Sequence, residues 1–252
     1  MTRTTSHSRT HQGRSQPVAA ALIAAGVLLA GSASAATVSE LQFSLPTDGL
    51  KELRIHADDG KLIVVGIPEI KEVLVRATIR VRPTLNDSEF SDFLDNWTRL
   101  ALNKHGRTAQ LESTISAMAI GEYKPRIDLV VNLPPELNLV VVDGQGVLEI
   151  SGMRSEVDVT DGSGKLLIKN IIGDVTIIDE AGSMEISQVT GDLQIKDRTG
   201  SVSVEKVDGT MFLDKRSGLV SIDGLSGDLV IESELRGDLD MSNHAGQVIR
   251  PD

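Results

Sequence analysis

From residue 146 onward, apolar and polar positions keep a nine-residue beat. Units begin at 146, 155, 164, 173, 182, 191, 200, 209, 218 and 227, then at 237 and 246 after one inserted residue. Eleven of the twelve starts are glycine, and the exception is Ser155. The third and fifth residues of a unit share a face if the unit is a strand, because strand side chains alternate. Leu148/Ile150, Val157/Val159, Leu166/Ile168, Val175/Ile177, Met184/Ile186 and Leu193/Ile195 hold these slots, and the series runs on to Val248/Arg250. Of the 24 slots, 23 are aliphatic and only Arg250 breaks the rule. One side of every strand is therefore predicted to be buried.

The eighth slot sets the true period. It is apolar in alternate units, at Met153, Ile171, Val189, Val207 and Leu225, and holds Gly162, Glu180, Arg198, Arg216 and Glu234 in the units between. The repeat is thus 18 residues: two short strands joined by two unlike corners, one tucking an aliphatic group inward and the other wet. This pattern predicts a mainly all-β chain, a mostly right-handed parallel β-solenoid whose coils stack at about 4.8 Å. About six coils would make a rod roughly 28 Å long. An antiparallel sandwich would instead show hairpin turns and uneven strand spacing. Asp-Gly pairs do occur at Asp161, Asp208 and Asp223, but at different places in the unit, so they do not set its period.

Residues 36–145 are related but irregular. Leu41–Leu45, Leu53–His56, Leu62–Val65, Val73–Val81, Ile127–Leu133 and Leu139–Val142 read as strands, and the stretch from Gly60 to Gly66 reads as a degenerate solenoid unit. One amphipathic helix, at about 87–104, interrupts them. Asn86 and Glu89 form a capping-box pair, Phe90, Phe93, Leu94, Trp97, Leu100 and Ala101 recur at helical spacing, and Gly106 serves as its stop. The aromatic stripe reads as core packing that caps the end of the strand stack, in preference to a binding cleft.

Residues 1–35 read as an export signal. Arg3, Arg9 and Arg14 precede an apolar run from Val18 to Ala30 and a small-residue site at Ala33 and Ala35, with cleavage after Ala35. The run covers roughly 20 Å as a helix, short of the ~30 Å hydrocarbon core. No later stretch is apolar enough to span a bilayer. The three divisions are then a signal peptide (1–35), an N-terminal strand region (36–145) and regular repeats (146–252). Losing three arginines takes the net charge from −11 to −14, which argues against a nucleic-acid partner. The chain has no cysteine, which excludes disulfides, thiolate metal sites and Cys nucleophiles.

The strand set ending in Leu-Pro134-Pro135-Glu-Leu, followed by serial Gly-x-aliphatic-x-aliphatic units, resembles the bacterial "putative adhesin" family, a β-strand-repeat domain of unknown function. The likeness covers most of residues 40–250. It is strongest at Asp58-Asp59-Gly60-Lys-Leu-Ile-Val-Val-Gly66 and at Asp143-Gly144-Gln-Gly146-Val-Leu-Glu-Ile-Ser-Gly152. The resemblance implies an envelope or surface solenoid without established catalysis, and it carries over no functional residues.

Candidate chemistry is sparse. Asp174 and Asp192 lie 18 residues apart, so their carboxylates should be vertical neighbours, and a bridging Ca²⁺ is the functional option for such a column. Thr210 breaks the column, the Gly-Gly-x-Gly-x-Asp calcium repeat is absent, and an Asp after Gly often just bonds its own turn. His56, His105 and His244 have no ligand spacing for zinc, and no Gly-x-Ser-x-Gly elbow is present. No catalytic or cofactor-binding residue is assigned, and no cofactor is expected.

The reading is a non-catalytic exported module, periplasmic or at the cell surface, with an adhesion-like or assembly role. Its partner would be an envelope protein or surface ligand, and its state a monomer or a weak end-to-end oligomer. The alternative is a carbohydrate-active β-helix enzyme, a lyase or a glycosidase. Asp197 is placed at the wet corner, where Asp197→Asn should be nearly silent. Ile195→Asp should bury an unpaired carboxylate between coils and lower unfolding free energy by more than about 3 kcal/mol in a denaturant titration.

Overall fold

In the computed structural model, each 18-residue repeat runs as one long bent strand lying on the next. The structure describes residues 18–19, 21–23, 37–233 and 235–250. The coils are β4 (Glu52–Gly66), β9 (Asn138–Ser151), β10 (Val157–Ile172), β11 (Val175–Thr190), β12 (Leu193–Asp208) and β13 (Met211–Leu225), followed by the shorter β14 (Leu229–Ile231), β15 (Leu239–Ser242) and β16 (Val248–Ile249). Neighbours pair in parallel with an 18-residue offset: Val157 lies on Val175, Val175 on Leu193, and Leu193 on Met211. The chain is a mainly β, parallel β-solenoid of about six turns.

Strand alternation sends slots three and five inward, and Val157, Ile177, Leu193, Ile195, Leu213 and Val220 are all buried. The two corners differ in how they keep phase. At one, the seventh residue takes a left-handed conformation: Gly152, Asn170, Gln188, Lys206, Gly224 and Asn243 all have φ between 50° and 78°. The turn through this residue brings the eighth slot inside, where Met153, Ile171, Val189, Val207 and Leu225 are buried as expected. At the other corner the first glycine of the following unit makes the bend, with φ 143° at Gly182.

The solenoid starts earlier than the clean repeat. β4 lies on β9 in full coil register, Gly60 on Gly146 and Leu62 on Leu148, although 86 residues rather than 18 separate Leu53 from Leu139. The insertion, together with one strand that precedes β4, continues both arms of β4 beyond the coils. One arm is extended by β7 (Thr108–Ile115) in parallel and then by β6 (Thr98–His105) antiparallel. The other is extended by β8 (Arg126–Leu133) in parallel, then by β5 (Glu72–Val81) and β3 (Thr37–Pro46), both antiparallel.

Helix α1 spans Asp87–Trp97, shorter than the 87–104 expected from spacing. Its capping box forms as predicted: the Glu89 amide donates to the Asn86 side chain at 3.0 Å, and the Asn86 amide donates to Glu89 at 2.9 Å. Beyond Trp97 the chain is strand β6, which turns at Gly106 (φ 62°) into β7, so this glycine serves a hairpin rather than a helix end. A second helix, α2 (Ala117–Tyr123), had no expectation behind it. Phe93 is buried and meets Tyr123 edge-on at 5.4 Å, while Phe90, Leu94 and Trp97 pack on the same core. The aromatic stripe is core.

The expected export signal lies outside the described residues, apart from β1 (Val18–Ala19) beside β6 and β2 (Ala21–Ile23) beside β3. Among the described residues no helix is long and apolar enough to cross a membrane.

Close stacking makes the corner glycines testable. A Cβ on Gly182 would stand 2.2 Å from the Gly164 carbonyl oxygen. Gly182→Ala should therefore cost about 2 kcal/mol or more through backbone displacement and left-handed strain, read as a lower denaturation midpoint with an unchanged slope.

Candidate functional site

At the corner expected to be wet, the seventh slot points inward. In successive coils it holds Asp143, Asp161, Asp179, Asp197 and Lys215, each in register with the next. All five are buried, the aspartates to between 3 and 6 % exposure and Lys215 to 0 %. Ala57 of β4 lies over Asp143, Ser113 of β7 lies over Ala57, and Ser233 donates a 3.4 Å hydrogen bond to the Lys215 carbonyl. The interior thus contains a column of four carboxyl groups, about 4.8 Å apart by strand stacking and closed at one end by a lysine.

The eighth slot at this corner is exposed, as expected, at Glu180, Arg198 and Arg216. Asp197, however, is not a wet-corner residue. Its side chain forms an ion pair and hydrogen bond with Lys215 Nζ, the two being 1 % and 0 % exposed. Asp197→Asn would remove the charge partner of a buried ammonium, so the expectation of silence does not hold.

Burial dominates the electrostatics. Desolvation raises the carboxyl pKa of Asp143 to about 7, with the Asp161 charge adding to it, and a backbone hydrogen bond from Gly144 only partly offsets both. Asp179 is likewise pushed up to about 7 by desolvation, and by repulsion from Asp161 and Asp197, against a smaller pull from Lys215. Asp161 is raised, again first by desolvation. Carboxyls this close cannot all ionise in a low-dielectric interior, so protons are retained among them. One oxygen on each of the four aspartates has no hydrogen-bond partner.

Asp174 and Asp192 are stacked neighbours, as their spacing predicts. Asp174 Oδ1 accepts the Asp192 amide at 2.9 Å, Asp192 Oδ1 accepts the Thr210 amide at 2.8 Å, and Asp228 repeats the contact with Gln247. These exposed carboxylates staple one coil's backbone to the next. Among the described residues, no group of three or more His, Cys, Asp or Glu could hold a metal ion. His56 and His105 are exposed and His244 is half-buried, on three separate parts of the chain.

Outside the buried column lies an open groove of roughly 330 Å³, lined by Ile178, Glu180, Lys196, Arg198, Asp214 and Arg216, with Asp179 and Asp197 at its floor. Arg198 pairs with Glu180 across coils at 3.1 Å. The groove carries both signs of charge and opens on solvent.

No protein-family model matches the chain, and no curated protein is a significant match. Solved structures are similar at low identity. A "putative cell adhesion protein" from Clostridium sporogenes shares 11 % identity over 84 % of this chain and 98 % of its own, with a TM-score of 0.39. A "putative lipid binding protein" from Parabacteroides distasonis shares 12 % over 84 % and 94 %, with a TM-score of 0.45. A "putative adhesin" from the same species shares 10 % over 85 % and 97 %, with a TM-score of 0.37.

The acid column gives stability a definite pH dependence. Folded carboxyl pKa values near 7, against about 4 unfolded, favour the fold while the groups stay protonated, and that favour is lost as pH rises from about 4 through 7. Lowered carboxyls such as Asp128 and Glu149 act the opposite way, but their loss falls at pH below about 4. The melting temperature should therefore be higher at pH 5 than at pH 8, and Asp143→Asn should flatten that difference in a thermal scan. A wild-type profile that rises toward pH 8 would contradict the assignment.

Proposed function

We propose that this protein is a non-catalytic exported surface module that holds an envelope protein or surface ligand against a flat outer face. The observation carrying this reading is the unbroken register of β9 to β13, which sets outward positions in rows at strand spacing along the rod. On the second arm, Ser183 lies beside Ser201, Glu185 beside Ser203, and Ser187 beside Glu205. Lys165 bridges coils to Glu185 at 2.8 Å, and Lys169 bridges to Glu149 at 2.8 Å. Serines interleaved with Lys–Glu pairs already held across coils suit an extended partner, because little further side-chain entropy is lost on contact. The export reading rests on the pattern of residues 1–35.

A carbohydrate-active enzyme is the second reading, supported by the open groove on which the exposed Glu180 carboxylate and the Asp214 carboxylate stand among Lys196, Arg198 and Arg216. One experiment separates the two. Labelled full chain should sediment saturably with envelope fragments of the producing organism, and Ser183→Arg/Ser201→Arg/Ser203→Arg should weaken that retention at least tenfold while leaving the melt unchanged. No saturable retention, together with turnover of a pectin or alginate panel that Glu180→Gln abolishes, would replace the binding module with the enzyme.

A further inference from the structure

We propose that Lys215 and Asp197 condense to an intramolecular amide, cross-linking two successive coils inside the solenoid. Three observations converge on this pair. Lys215 occupies the slot that holds aspartate in the four coils before it, so register places its amine against a carboxyl rather than in water. Its Nζ contacts Asp197 Oδ2, with 0 and 1 % of the two side chains exposed. The next carboxyl in the stack, Asp179, is in register with Asp197 and equally enclosed.

In water an ammonium and a carboxylate simply pair, since the ammonium has no lone pair and the carboxylate resists addition. The condensation therefore begins with transfer of one proton along the Lys215–Asp197 hydrogen bond, which sets a neutral amine beside a neutral carboxylic acid. That is the reactive pair. The Nζ lone pair adds to Asp197 Cγ and the C–N bond forms. The Asp179 carboxyl protonates the departing hydroxyl, and the Cγ–O bond breaks to release one water. The nitrogen's surplus proton returns to Asp179, leaving that carboxyl as it began. No oxidant or other reactant is required.

Two effects drive the condensation. A pair held in place by the fold behaves as though its partner were present at about 10⁵–10⁸ M. The product also replaces two buried charges with one uncharged amide. Burial, with the Asp161 and Asp197 charges, raises the Asp179 pKa to about 7, so that near neutral pH this carboxyl can both give and take back a proton. Asp161 and Asp143 face no amine in the stack and stay as acids.

The test is tryptic mapping of the purified, denatured full chain by mass spectrometry. Trypsin cannot cut after an acylated lysine. The expected product is a branched peptide joining Asp197–Arg198 to Val207–Arg216, lighter than the two free peptides by the mass of one water. Lys215→Arg should abolish it. Asp179→Asn keeps both reacting groups and should slow its appearance in freshly refolded protein at least tenfold. Recovery of the linear peptide Val207–Lys215 in full yield from folded wild-type protein would overturn the proposal. An unchanged rate in Asp179→Asn would overturn the role given to Asp179.

Discussion

Coil-on-coil register governs this molecule. A parallel strand hydrogen-bonds to its neighbour residue for residue, so the environment of a slot in one coil is handed to the same slot in the next. Aliphatic residues gain most from this rule: Val157, Val175, Leu193 and Met211 form one continuous ladder with no solvent between them. The same rule forces the seventh slot into a column. Once one coil sends an aspartate inward, the neighbouring coil's equivalent residue meets it at strand distance. The chain eases the conflict by raising the proton affinity of Asp143, Asp161 and Asp179 and by placing Lys215 under Asp197.

Aspartate is tolerated at that slot because it serves the corner. Asp143 and Asp161 accept the amides of Gly144 and Gly162, and Asp179 accepts that of Ala181, so each carboxyl satisfies a donor that the bend leaves free. The opposite corner bends through a left-handed residue and needs no carboxyl. It fills its interior with Met153, Ile171, Val189, Val207 and Leu225. The coil's two ends are therefore chemically unlike, one dry and aliphatic, the other dry and acidic with a mixed-charge groove outside it.

Much of this was legible in the sequence. Eighteen-residue periodicity gave the coil, the inward third and fifth slots, the aliphatic corner and the Asn86–Glu89 cap. These signals are strong because each rests on repeated burial or on one local hydrogen-bond pattern. The acid column was missed because charged residues at corners are ordinarily solvated. The signal was nonetheless present: slots three, five and seven share one face of a continuous strand, and Asp143, Asp161, Asp179 and Asp197 recur every 18 residues with a lysine next in the series. The overlong helix has a different cause. Leu100 and Leu102 fit the alternation of a strand, while Leu100 and Ala101 also continue the spacing of Phe93, Leu94 and Trp97, and pairing with β7 decides between them.

Since the chain has no native cysteine, register can be read by disulfide trapping. Ser183 and Ser201 are paired on adjacent coils, whereas Ser183 and Leu219 are two coils apart, beyond the roughly 7 Å reach of a disulfide. In-register stacking predicts that Ser183→Cys/Ser201→Cys oxidises to an intramolecular bridge while Ser183→Cys/Leu219→Cys stays reduced at the same dilution. A bridge in the second pair but not the first would contradict the stacked coils and the acid column that depends on them.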